Sequence, residues 1–183
     1  IFRNTISLMS EFANTEIYMD GGTKKSRDFF NAWLKKIKIW KVCDQYFREF
    51  YRSGNIFMYR IDGKFDSDDY IKLTQVYAEE GKTENKIPLK YIFLNPFDIV
   101  SRAASAFSDG RYEKILSKFD LMRLKNPQTE EDKEIFDSLP AETKKAINDR
   151  AYTTDGLRIK MDASRLITSF AGRQDYEPFA IPF

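Results

Sequence analysis

"RSGNIFMYRIDG", residues 52–63, packs a glycine, a run of aromatic and β-branched residues and a second glycine into one short stretch. Its middle, "NIFMYRI", is apolar on both alternating faces apart from Arg60, which is the pattern of a central strand covered on two sides, not of an exposed edge. "DGK" closes the strand with a turn. Gly54 stands where a preceding helix must stop, because glycine enters the left-handed cap conformation cheaply.

The preceding segment fits that helix. Phe29, Phe30, Trp33, Leu34, Ile37, Trp40, Cys43, Phe47, Phe50 and Tyr51 fall at steps of three and four, while Lys24, Lys25, Lys35, Lys36, Lys38, Lys41 and Arg48 fall mostly elsewhere. The period predicts one long aromatic-faced helix, or two with a bend near Lys38, capped by Thr23 after the break at "DGG". Ahead of it, Ile6 and Met9 predict a short helical turn and "TEIYM", residues 15–19, a short strand.

Downstream, Ser67 followed by Asp68 and Asp69 predicts a helix running to Gly81, with acids where the helix dipole favours them. "IPLKYIFLN" reads as a second strand that meets Pro96, and "FDIVSR" as extended chain after it. "SDG", residues 108–110, predicts a hairpin between "IVSRAASAF" and "RYEKIL". From Ser117 the pattern turns helical, Thr129 with Asp132 resembles a capping box and Pro140 opens another helix, so residues 118–149 are expected to form a short helical insert. "GLRIKM" and "RLITSF" read as two final strands, and residues 171–183, "AGRQDYEPFAIPF", as a loop or extended arm. The expected architecture is a single α+β unit spanning 1–183: a long aromatic-faced helix packed on a small mixed sheet, with the insert and the arm.

The absence of histidine narrows the chemistry most, since it rules out Ser-His and Cys-His pairs, His-bearing zinc sites and an imidazole base. The single cysteine, Cys43, lies among aromatics and reads as a small core residue, and it cannot form a disulfide within the chain. The acidic clusters "DSDD", residues 66–69, and "EED", residues 130–132, have the residue types of a magnesium site, yet both fall at expected helix N-termini, where the dipole alone favours acids. "DGG" and "SDG" lack the spacing and lysine of a phosphate-binding loop. In "KKIKIWK" the lysines and Trp40 suit single-stranded nucleic acid, but the separation of aromatic and basic faces is explained by burial of Trp33 and Trp40. No catalytic, cofactor-binding or metal-ligating residue is therefore assigned, and the chain is expected not to be an enzyme.

A formal charge of +2, from 30 basic and 28 acidic residues, makes no global demand for nucleic acid or an anionic membrane. No apolar run approaches the roughly 20 residues of a membrane span. The start at Ile1 and the apolar final phrase lead us to expect a longer chain at both ends. The C-terminal stretch carries the remaining candidates. Arg165, Arg173, Asp175, Tyr176 and Glu177 mix charge and an aromatic ring in a segment of little regular structure, and Phe179 and Phe183, beside Pro178 and Pro182, need a surface to cover them. These seven residues are the candidate subunit interface.

The order of these phrases resembles the wing and upper stem of tailed-bacteriophage portal proteins. A helix ending in "SGN" leads into the strand "IFMYRIDG"; "IPLKYIFLNPFDIV" follows after an insertion, with Leu94, Asn95 and Pro96 as its Leu-x-Pro phrase; "LITSFAGRQDYEPFAIPF" completes the series. "QDYEPFAIP" looks like the approach to that family's next long helix, whereas residues 118–149 have no counterpart in it. The resemblance implies a structural subunit of a ring, a dodecamer, at one vertex of a phage head. Double-stranded DNA passes non-specifically through such a ring, which docks the terminase motor, the capsid and head-to-tail adaptor proteins. It also implies a place in the virion after assembly in the host cytoplasm, with no cofactor and no membrane. Two other readings stay open on residue types: a carboxylate-dependent metal nuclease or phosphotransferase using "DSDD", and a monomeric adaptor gripping a partner with its aromatic helix.

Overall fold

The computed structural model describes residues 2–17, 19–63, 87–101, 112–150, 156–173 and 177–180. Among them are six α-helices and two three-stranded antiparallel sheets, an α+β fold. The described residues form two compact units, one drawn from the stretches 1–53 and 62–91, the other from 54–61 and 92–182. The expected helix from Ser67 and the hairpin turn at 108–110 lie outside the described residues.

In the first unit, α1 (Phe2–Ala13) packs on α3 (Ile39–Ser53), and α2 (Lys24–Lys36) joins α3 through a sharp break. α2 starts as expected at Thr23, whose hydroxyl accepts the Ser26 N–H while the Ser26 hydroxyl accepts the Thr23 N–H, satisfying two otherwise orphaned donors. Of the two expectations for the periodic segment, the bent one holds. Lys38 takes a left-handed backbone with φ 54°, which a helix cannot continue through. Residues 15–17 and 19, expected as a strand, have no regular structure, and Ile17 and Met19 are exposed. The aromatic stripe is half-buried rather than core: no residue of α2 or α3 is fully buried, and Phe30 and Trp40 are 41% and 46% exposed.

Gly54 ends α3 with φ 65°, and the chain turns directly into β1 (Asn55–Gly63), where Ile56, Phe57, Met58 and Tyr59 are all buried. β1 is central, as its two apolar faces required, in the order β2-β1-β6, with β2 at Ile87–Phe93 and β6 at Leu166–Phe170. β1 and β6 run antiparallel with Phe57 opposite Thr168. Residues 96–98 form a 3₁₀ turn, not the expected extended chain, because the Asn95 side chain accepts the Phe97 N–H and Pro96 lacks the N–H of a ladder residue.

The second sheet has the order β3-β4-β5, from β3 (Ile99–Ser101), β4 (Tyr112–Leu116) and β5 (Leu157–Lys160). Lys114 of β4 faces Ile99 on one side and Ile159 on the other. The strands thus sort into two antiparallel sheets where one mixed sheet was expected. Between β4 and β5 come the insert helices α4 (Lys118–Lys125), α5 (Glu130–Ser138) and α6 (Ala141–Asp149). Leu121, Leu124, Leu139 and Ile147 bury against Leu116 and Ile159 of the sheet. Complete burial of a side chain such as Leu121 contributes about 1.5–3 kcal/mol, enough to hold short helices that are marginal alone.

Candidate functional site

The C-terminal arm leaves β6 at Ala171, whose N–H donates to the Gly54 carbonyl at 2.9 Å, and turns at Gly172 with φ 65°. Arg173 then lies over the Phe170 ring, 4.1 Å from its centroid, and donates to the Glu177 carbonyl. One cation therefore ties the end of β6 to the far side of the arm. Glu177 contributes its backbone to this tie.

Beyond it the arm is seated on the second unit's own core. Phe179 sits 6.0 Å from both the Phe57 and Tyr112 rings, within a cluster that includes Phe170. The Tyr112 hydroxyl donates to the Pro178 carbonyl at 2.8 Å. Most specific is Asn55, the first residue of β1. Its side-chain N–H donates to the Ala180 carbonyl at 3.0 Å and its side-chain oxygen accepts the Ala180 N–H at 2.8 Å. Asn55 thereby imitates a peptide group in a two-bond ladder, and only one orientation of its amide fits. Both residues are buried, so the pair forms where water cannot compete.

The candidate residues are thus distributed. Arg173, Glu177 and Phe179 belong to the seated arm. Arg165 lies in the turn before β6, where its guanidinium is 3.4 Å from Asp162 and its carbonyl accepts the Arg60 N–H. Asp175, Tyr176 and Phe183 lie outside the described residues. Phe179 was expected to require a surface from elsewhere, but Phe57 and Tyr112 supply one from within the chain. Asn55, Phe57 and Tyr112, the residues that receive the arm, were not singled out as contacts. The trace they leave in the sequence is an asparagine directly after a helix-ending glycine, at the head of an otherwise apolar strand.

Of the remaining candidates, Asp132, Trp33 and Cys43 are accounted for structurally. The side chain of Asp132 of "EED" is 6% exposed and accepts from Arg123 at 2.5 Å, while the Asp132 backbone N–H donates to the Thr129 hydroxyl. The Arg123 hydrogen bond holds the Asp132 carboxyl below its usual range, against the opposing effect of burial, and Thr129 adds to it. The Asp132 side chain engages Arg123 and the Thr129 side chain but makes no return bond to the Thr129 backbone N–H, so Thr129 caps α5 without completing the box; the full box stands at Ser117 and Asp120. "DSDD" lies outside the described residues. Trp33 donates its indole N–H to the Pro88 carbonyl at 2.6 Å, and burial pushes the Cys43 thiol up, away from the thiolate that reactivity needs. No helix among the described residues is long and apolar enough to cross a membrane. No protein family, no curated protein and no solved structure was found to match the chain.

Proposed function

We propose that the chain is part of a structural subunit of a tailed-phage portal ring, forming the channel through which DNA enters and leaves the head and docking the packaging motor and tail. The observation that carries the reading is the convergence of the phrases behind the resemblance. "SGN" supplies Gly54 and Asn55, which hold Ala171 and Ala180 on either side of "GRQDYEPF". "LNP" begins at Leu94, whose N–H donates to Phe57 of "IFMYRIDG" at 2.8 Å. Segments up to 125 residues apart in sequence are stitched into one support.

Such a support suits a ring subunit. A closed ring repeats each contact around its axis, so an angular error in one subunit accumulates, and an arm leading to a further element must leave its base in a defined direction. Bonds at both ends of the arm provide that direction. The near balance of basic and acidic residues suits a channel past which DNA slides without being held. The virion is where such a subunit acts.

Negative-stain electron microscopy and mass photometry of the full-length protein, purified without other phage components, test the reading. Closed rings with a central channel, of about twelve subunits, are expected. A monodisperse monomer at micromolar concentration refutes it. If that monomer also bound a partner protein through Phe30 and Trp40, which stand partly exposed on the aromatic helices, the adaptor reading would replace it.

A further inference from the structure

In the second unit, a cavity of ≈ 270 Å³ lies between the insert helices and the sheets. Its floor is apolar, formed by residues that include Leu116, Leu124, Ile135, Ile159 and Met161. The Tyr59 hydroxyl, the polar group among the floor residues, already donates to the Ser138 carbonyl at 3.3 Å. Asn95, Lys114, Asp120, Arg123 and Asp132 supply the polar lining.

The hydrogen-bonding state of that polar lining selects the ligand. Both acids are engaged: Asp120 accepts from the Ser117 N–H and hydroxyl at 3.1 and 2.9 Å, and Asp132 accepts from Arg123. The donors are in surplus. Arg123 commits one arm of a guanidinium that carries five N–H groups, and its side chain is 59% exposed. The Lys114 ammonium lies 3.5 Å from Asp98, with three N–H groups to place. Asn95 spends its side-chain oxygen on the Phe97 N–H, which leaves its amide N–H groups to donate. A bound molecule must therefore bring acceptors; Asp120 and Asp132 balance the charge of Lys114 and Arg123, so it is the open N–H groups of the two cations, which bond most strongly to an ionised acceptor, that favour an anionic one.

We propose that this cavity binds a small apolar carboxylate, with its hydrocarbon part on the Leu116–Leu124–Ile135 floor and its carboxylate against Lys114, Arg123 and the Asn95 amide. A cavity of about 150 Å³ holds benzene, so this one takes about ten non-hydrogen atoms. The chemical class is an arylalkanoic or medium-chain alkanoic acid. The assignment is independent of the portal reading.

Calorimetric titration of the full chain with 3-phenylpropanoate, 3-phenylpropan-1-ol and 3-phenylpropylamine, matched in hydrocarbon and differing in the head group, tests it. The carboxylate should bind with the millimolar Kd expected of so small a ligand, about tenfold tighter than the alcohol, and the amine should not saturate. Lys114→Gln should weaken the carboxylate several-fold and leave the alcohol unchanged. Ile135→Trp, at a half-buried floor position, should fill the cavity and abolish both. The proposal is overturned if the amine binds as well as the acid, if no probe saturates, or if a folded I135W protein binds the acid like the parent. Should I135W fail to fold, an unchanged carboxylate affinity in K114Q overturns it alone.

Discussion

Replacing Asn55 with Ala removes both hydrogen bonds that hold Ala180 and leaves a buried N–H and a buried carbonyl without their partner. Neutral internal hydrogen bonds contribute about 1 kcal/mol each, and each buried group left unpaired costs about 1–3 kcal/mol. With Ala180 fixed in place the loss would reach about 6 kcal/mol, but the arm has an escape. It can lift from its seat and let water satisfy both groups, so the loss is capped by the free energy of seating, which includes Phe179 against Phe57 and Tyr112 and the Tyr112–Pro178 bond. We expect a loss of about 2–4 kcal/mol, which by itself corresponds to at least about thirtyfold faster exchange of the Ala180 amide. Asn55→Asp keeps an acceptor for the Ala180 N–H but sets a carboxylate oxygen against the Ala180 carbonyl, and it should lose at least as much. The assay is urea unfolding joined to amide hydrogen exchange of the full chain. An N55A protein whose unfolding midpoint and Ala180 protection both lie within about 0.5 kcal/mol of the parent would show that the arm is not held by this pair.

Because the folded Asp132 carboxyl titrates below its unfolded value, the pair with Arg123 should contribute fully above about pH 4 and be lost as pH falls through the lower folded value; Asp132→Asn should remove that step, and superimposable acid-unfolding curves would exclude it. At Lys38, φ 54° predicts that Lys38→Val lowers stability by about 1–2 kcal/mol while Lys38→Gly holds or raises it; thermal melts in which K38V equals the parent would contradict the left-handed break. Trp33→Phe keeps a ring on the half-buried stripe but drops the bond to Pro88, so denaturant unfolding should register a cost of about 1 kcal/mol, and no measurable loss would remove that bond as a fastener.

The local elements were legible because neighbours within a few residues create them. The apolar run of β1, the glycine that stops α3, the caps at Thr23 and Thr129 and the Pro140 start of the last insert helix each rest on backbone conformation or on bonds spanning three or four positions. The break at Lys38 was half legible: the period allowed a bend, but a lysine in a left-handed conformation carries no signature of its own. The aromatic stripe showed which face of the helices is apolar and not how completely it would be covered, since period measures amphipathicity and burial depends on what packs against it. The pairing of strands was hidden for a related reason. Alternation marks a strand's two faces, whereas the choice of two antiparallel sheets over one mixed sheet lies in hydrogen bonds along its edges, which every residue except proline offers alike. The arm shows the same division. Its prolines and exposed-looking phenylalanine announced a segment without regular structure that needed cover, but the cover came from Phe57 and Tyr112, and its fastening from an asparagine 125 residues away. A contact at that separation follows no spacing rule; it exists because the folded sheets bring the start of β1 and Ala180 of the arm to one place.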